Sequence, residues 1–358
     1  MLDWGLYLTT AQPDGENERD ILQHVLEFSE LAEQLDYHSV WLLEHHFTRY
    51  GLCGSPLVMG SHLLGRTSRI KLGTAVSVLP LEHPLRVAES VALLDHLSSG
   101  RFIYGVGRGF FLKDFEVFGV DVKRNHELLE QFTEILIKAW TETTVSWDSE
   151  LISFPEVEVL PKPYTLPHPP LYVACSSPTR TEWAARHGFP MMMDYLNSHA
   201  EKRAQTELYN EVAAEHGHDP SEISHMLSCV GFVGDRSALE GVVKDTMIWW
   251  EYEFLRASKL FEPEFRDVRS YEFYFRQRET AKLAGRWLPE HRAEELLNLN
   301  PNGSPAECIE RLNEAIEGCN IGLVVMGFEA LRDPGLIRES MTRFAEEVAP
   351  HVASSMPV

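Results

Sequence analysis

Val40-Trp41-Leu42-Leu43-Glu44-His45-His46-Phe47 is an apolar run that ends abruptly in an acid and two histidines. It reads as a short buried strand whose C-terminal tip carries ionisable groups, and in a β/α barrel that tip is where chemistry sits. Gly100-Arg101-Phe102-Ile103-Tyr104-Gly105-Val106-Gly107-Arg108-Gly109 repeats the plan, an apolar strand followed by glycines around an arginine. The remainder of the chain reads as scaffold for these two tips.

Outward from the tips, strand and helix patterns alternate. Strand-like runs cover Asp3–Leu8, His38–Leu43, Ile70–Leu79, Phe102–Val106, Leu171–Ala174, Pro190–Tyr195, Ile223–Val233 and Ile321–Met326. Helical patterns lie between them. One carries Ile21, Val25, Phe28, Leu31 and Leu35 at helical spacing, and another opens at Ser55-Pro56. Ser304-Pro305-Ala306-Glu307 is a capping box. Val145-Ser146-Trp147 and Leu151-Ile152-Ser153-Phe154 read as a small hairpin, and a polar, aromatic loop is expected after Arg108. Arg256 to Asn300 is charged and aromatic without clean periodicity, as functional loops often are. Eight strands, each followed by helical material, predict a parallel sheet. No glycine fingerprint opens a helix after the first strand, so the expected fold is α/β, a closed (β/α)8 TIM barrel with insertions.

The chain has 358 residues and a formal charge of −22. That balance argues against nucleic acid and against an anionic membrane surface. No uninterrupted apolar run reaches about 18 residues, and the first residues lack the pattern of a secretion signal. The five cysteines are widely spaced and form no CxxC pair, which disfavours both a disulfide framework and structural zinc. A cytoplasmic location is the expectation.

Five places carry candidate chemistry. On a strand, adjacent residues face opposite ways, so one of His45 and His46 faces the barrel mouth while the other packs behind it, held by Glu44. The inward one is a candidate general base or hydrogen-bond donor. Arg108, between glycines, offers a fork matched to phosphate. Cys175-Ser176-Ser177-Pro178-Thr179-Arg180 follows a strand and opens a helix, and hydroxyls beside a helix N-terminus favour an anion. Two anion-friendly tips in one chain suggest one phosphate-bearing cofactor. Gly73-Thr74-Ala75-Val76-Ser77 has small residues that would leave room for a flat ring, or else for tight packing. Asp114, beyond Arg108, has the plain reading of a solvated acid.

These motifs resemble the α subunits of bacterial luciferases, within the luciferase-like group of flavin-dependent monooxygenases. The resemblance runs through Trp41-Leu42-Leu43-Glu44-His45-His46-Phe47-Thr48, Gly73-Thr74-Ala75, Leu79-Pro80 with His83-Pro84, and Leu93-Leu94-Asp95 into Gly100-Arg101-Phe102. It continues through Lys113-Asp114-Phe115, Val117-Phe118-Gly119, Thr181-Glu182-Trp183-Ala184-Ala185, Leu208-Tyr209-Asn210-Glu211-Val212-Ala213 and Asn300-Pro301. The resemblance implies one barrel domain over residues 1–358, with a mobile active-site loop at about 261–297. It implies reduced FMN supplied by a separate flavin reductase, a 4a-peroxyflavin formed with O2, and oxidation of a small organic substrate such as an aldehyde or secondary metabolite. His45 matches a catalytic histidine and Asp114 an acid near the flavin. Arg108 and Ser177 match phosphate-binding residues, and Ala75-Val76 matches a non-prolyl cis peptide under the flavin ring. The helices at Pro56–Leu64 and Pro84–Leu97 match a dimer-forming face, so a homodimer or heterodimer is expected.

Three departures stand out. The family's α subunit has a reactive cysteine where this chain has Gly107, and a second phosphate arginine where it has His126. Arg124 or Arg180 would then compensate. Asp194 and Tyr195 replace a serine and a tryptophan near the substrate pocket. Other readings are a light-emitting α-type subunit acting on long-chain aldehyde with a β partner, a non-catalytic flavin-binding subunit, and a deazaflavin-dependent dehydrogenase.

Overall fold

A computed structural model describes residues 2–259, 275, 279, 282–283 and 288–353. Eight parallel strands close into a barrel: β1 (Asp3–Leu8), β2 (Ser39–Leu42), β3 (Lys71–Thr74), β4 (Phe102–Gly107), β5 (Leu171–Ala174), β6 (Met191–Met193), β7 (His225–Val230) and β8 (Ile321–Gly327). Each pairs with the next. The ring shuts where β1 pairs with β8, with Gly5 opposite Val325. All eight expected strands are present. The third is shorter than the expected Ile70–Leu79: the chain leaves the barrel after Thr74, passes a cis Ala75-Val76 peptide, and rejoins β4 at Ser77 and Val78.

The helices form where the sequence places caps. Asn17 caps α1 (Glu18–Gln34), which buries Ile21, Val25 and Phe28 against the barrel. Ser55 caps α2 (Pro56–Arg66), with proline at the first turn. α3 (Pro84–Ser98) packs beside it. Past β4 the chain forms a short helix, α4 (Leu112–Phe118), where a loop was expected. α5 (Asn125–Thr141) and the antiparallel hairpin of Val145–Asp148 with Ser153–Val157 follow. α6 (Pro178–Arg186), α7 (His199–Glu215) and α8 (Arg236–Ser258) cover the second half. The stretch read as aperiodic ends in α9 (Pro289–Leu299), which buries Ala293, Leu296 and Leu297 at helical spacing. The expected mobile loop therefore overlaps a helix at its C-terminal end, and most of it lies outside the described residues. The capping box of Ser304 and Glu307 is formed at the start of α10 (Pro305–Ile316). Among the described residues no helix is long and apolar enough to cross a membrane.

Two cores result, one between barrel and helices and one inside the barrel. The inner one contains Tyr7, Trp41, Leu43, Ile103, Met192, Met226, Leu323 and Val325. Trp41 is fully buried there because Gly73 opposite lacks a side chain: a Cβ at Gly73 would lie 2.4 Å from the indole. Gly73 thus makes room for Trp41. This filled interior pushes any ligand up to the strand tips.

Candidate active site

The tip of β2 separates its two histidines as alternation demands. His45 turns toward the mouth, its ring 5.0 Å from Tyr50 and 5.0 Å from Phe111. Its Nε2 is buried and has no hydrogen-bond partner. Burial, with a smaller push from His46, lowers its pKa to about 3, so the imidazole is neutral. It therefore offers a hydrogen-bond partner more than the near-neutral base expected from its type. His46 lies behind, with Nε2 3.1 Å from Glu44 Oε1. Burial alone would lower His46, but the hydrogen bond and charge of Glu44, with Asp114 and Glu82, outweigh it and raise the pKa. The second Glu44 oxygen accepts from Val78 N–H at 3.1 Å, tying β2 to the strand beyond the cis peptide.

Asp114 is not a solvated acid. It sits in the first turn of α4, 4% exposed, and its Oδ1 has no partner. Burial raises its carboxyl to about 7; Glu44 adds to the rise and His46 and Lys113 oppose it. The sequence hid this, because the burial comes from elements distant in the chain.

On the other side of the mouth lies a cationic cradle. Arg108 Nη1 is 2.9 Å from His126 Nε2, and Arg180 Nη2 contacts His126 Nδ1. Arginine only donates, and a neutral imidazole accepts at one nitrogen only. One of these two contacts is therefore donor against donor, and an anion between the groups would relieve it. Arg180 is 3% exposed, is held by Glu130 at 3.3 Å, and leaves Nε buried without a partner. Burial pulls its pKa down to about 10, so it remains a cation. Ser177 sits at the N-cap of α6 but makes no capping bond with its side chain, so simple capping does not account for it. Ser176 is half-buried and Thr179 exposed at the same helix start. These residues fit a phosphate group.

Two sequence candidates do not join the cradle. Cys175 is buried: its N–H donates to Met192, its carbonyl accepts from Gln205, and its thiol points at the carbonyl of Arg180. Burial pushes that thiol up to about 12. Cys175 thus has no group left for a cofactor. Arg124 is spent on Glu127 and Glu150, which leaves Arg180 as the arginine that accompanies Arg108.

The luciferase-like monooxygenase family profile matches residues 4–319. The alkanal monooxygenase alpha chain of the Kryptophanaron alfredi symbiont is 37% identical over 352 residues, 98% of each chain. This chain belongs to the luciferase-like monooxygenases. It is accordingly an enzyme that uses O2. Two solved structures share the fold of this luciferase-like monooxygenase. Monooxygenase RslO1 from Streptomyces bottropensis has a TM-score of 0.77 at 24% identity, covering 98% of this chain and 100% of its own. The oxygenating constituent of 3,6-diketocamphane monooxygenase from Pseudomonas putida, solved with FMN, has a TM-score of 0.79 at 21% identity and covers 99% of each chain.

Within this luciferase-like monooxygenase, the departure at Gly107 has a packing cause. A Cβ there would come within 2.6 Å of the Val76 side chain, so Val76 fills the space a side chain at that position needs. Asp194, just past β6, lies among the electrostatic neighbours of Tyr7; its Oδ1 accepts from the N–H groups of Leu196 and Asn197 at 2.9 and 3.0 Å. Tyr195 pairs with Tyr50. Sequence reading missed Tyr7, Tyr50, Phe254 and Glu329, which come from four separate parts of the chain. Phe254 of α8 stacks on Phe110 at 5.0 Å and packs edge-on against Phe111 at 5.8 Å, so α8 roofs the mouth with aromatic rings. Among the described residues no cluster of His, Cys, Asp and Glu is arranged to hold a metal.

Proposed function

We propose that this chain is the oxygenating component of a two-component system, which takes reduced FMN from a separate flavin reductase and uses O2 to oxidise a small organic substrate. The observation that carries the reading is the pairing of two sites across one barrel mouth. On one side the unpartnered Nε2 of His45 faces the mouth; on the other Arg108, His126, Arg180 and Ser177 form an anion cradle.

Bound there, reduced FMN would supply the electrons that activate O2. The chain's own residues do the rest. Arg108, Arg180, His126 and the start of α6, with Ser176, Ser177 and Thr179, would hold the phosphate. Ala75 and Val76 would lie under the ring system. His45, neutral at working pH, would give or accept one hydrogen bond at Nε2 beside the reacting atoms. Asp114, with its pKa raised to about 7, would hold a proton beside His46 and Glu44, behind His45. Phe110, Phe111 and Phe254 would keep bulk water out.

Titration of oxidised FMN and of riboflavin by fluorescence quenching tests the cradle. Arg180→Met and Arg108→Met are expected to weaken FMN binding by about tenfold or more while leaving riboflavin, which lacks the phosphate, nearly unchanged. Equal losses for both ligands would remove these arginines from a phosphate role.

The exposed apolar residues Val58 on α2 and Leu93 and Leu97 on α3, 72%, 50% and 70% exposed, support a dimer through these helices. A location in the cytoplasm is part of the same reading. Light scattering that returned the monomer mass of 40.8 kDa at micromolar concentration would refute the dimer.

A further inference from the structure

The mouth around His45 is lined by more polar groups than a plain hydrocarbon substrate needs. Tyr7 points into the barrel from β1, in the same inner cluster as Trp41 and Met192. Tyr50 stands against the His45 ring at 5.0 Å and against Phe111 at 5.6 Å. Tyr195, which pairs with Tyr50, is anchored by its carbonyl, which accepts from Asn300 Nδ2 at 3.2 Å. Glu329, just past β8, accepts from the backbone N–H groups of Thr9 and Thr10 beyond β1. Asp194 lies just past β6 near Tyr7, with Oδ1 already taken by two backbone donors. The electrostatic neighbours of the Tyr7 hydroxyl are Tyr50, Glu329 and Asp194, so these residues from four strand tips form one cluster.

We propose that the substrate of this site is a neutral, oxygenated carbonyl compound, built on a ring system and carrying at least one hydroxyl group, and not a simple alkyl aldehyde. The inference rests on the reading of the site as that of a flavin-dependent monooxygenase. Tyr7 and Tyr50 are donors for carbonyl or hydroxyl oxygens, and Tyr195 spends its own O–H on Tyr50 and so fixes its direction. Two carboxylates are acceptors for hydroxyl groups. An alkyl chain satisfies neither set, and pressing it over them would remove their water without replacement. The rings of Phe110, Phe111 and Phe254 supply a flat apolar wall for the body of the molecule. Burial raises the pKa of all three phenols, Tyr50 to about 12, so they stay protonated. The two carboxylates, in a chain of net charge −22, disfavour an anionic substrate.

Isothermal titration calorimetry on FMN-saturated protein decides the point, with 5-hydroxy-1-tetralone, 1-tetralone and decanal as probes. FMN itself is titrated first. A protein that takes up no FMN fails the functional reading. The three probes are then titrated onto the FMN-saturated protein and, separately, onto the protein alone, where the preference of the pocket is read without FMN. The hydroxyketone is expected to bind about tenfold tighter than either other probe, the ratio one or two hydrogen bonds produce. Tyr195→Phe and Tyr50→Phe, which keep the ring, are expected to reduce that ratio severalfold without weakening decanal. Decanal binding as tightly as the hydroxyketone, or no binding of the hydroxyketone, would overturn the proposal. So would variants that weaken all three probes alike, since that marks a structural role.

Discussion

Asp114→Asn should make the protein more stable at pH 8 and leave it unchanged at pH 4. The carboxyl is buried at the start of α4, with Oδ1 unpartnered and Glu44 nearby, and its pKa rises from 3.8 to about 7. Between these two values the folded protein keeps a proton that the unfolded chain has released. The unfolded state then binds fewer protons, so stability falls as pH rises through this window. The full difference corresponds to about 4 kcal/mol. Relaxation around the short helix α4 and entry of water when the carboxyl ionises reduce this to about 2 kcal/mol. Asparagine is neutral throughout and escapes the cost. For a chain of this length about 2 kcal/mol raises the melting temperature by about 3 °C. The assay is thermal unfolding of both proteins by circular dichroism from pH 4 to pH 8. The gap should be small at pH 4, grow between pH 4 and 7, and level off above. A gap independent of pH, or a variant that melts lower at pH 8, would refute the argument.

His45→Ala removes the unpartnered Nε2 at the mouth but leaves the cradle intact. FMN affinity should change less than about threefold while substrate oxidation falls by about 100-fold or more, measured by fluorescence titration and product analysis; unchanged turnover would take His45 out of the chemistry. Gly107→Cys should destabilise the protein by about 1–3 kcal/mol, because its Cβ meets the Val76 side chain at 2.6 Å. Adding Val76→Ala should recover much of that loss in urea unfolding, and a double variant no better than the single one would show that Val76 is not what excludes a side chain at position 107.

The eight strands were legible because each is a short apolar run ending in turn residues, and the caps at Ser55 and Ser304 marked their helices directly. Opposite faces for His45 and His46 followed from strand alternation alone. What failed depended on contacts between distant segments. Gly73 looked like room for a ligand ring, but the space belongs to Trp41 on the neighbouring strand. Helix α4 is only seven residues long, too short for periodicity to reveal, and with it went the burial of Asp114. Cys175 shares a promising motif with Ser177, yet its backbone and thiol are engaged within the protein. The ring of Tyr7, Tyr50, Tyr195, Asp194 and Glu329 draws on residues far apart in the chain. No local pattern announces such a cluster; only barrel closure assembles it.

The central claim is that this mouth binds reduced FMN and shelters its reaction with O2. Stopped-flow mixing of the protein and photoreduced FMN with oxygenated buffer tests this most directly, with the near-ultraviolet and visible flavin spectrum as the readout. With protein present, the spectrum of oxidised FMN should return much later than in buffer alone, and a true substrate should change the rate of that return. Reoxidation at the same rate with and without protein would contradict it.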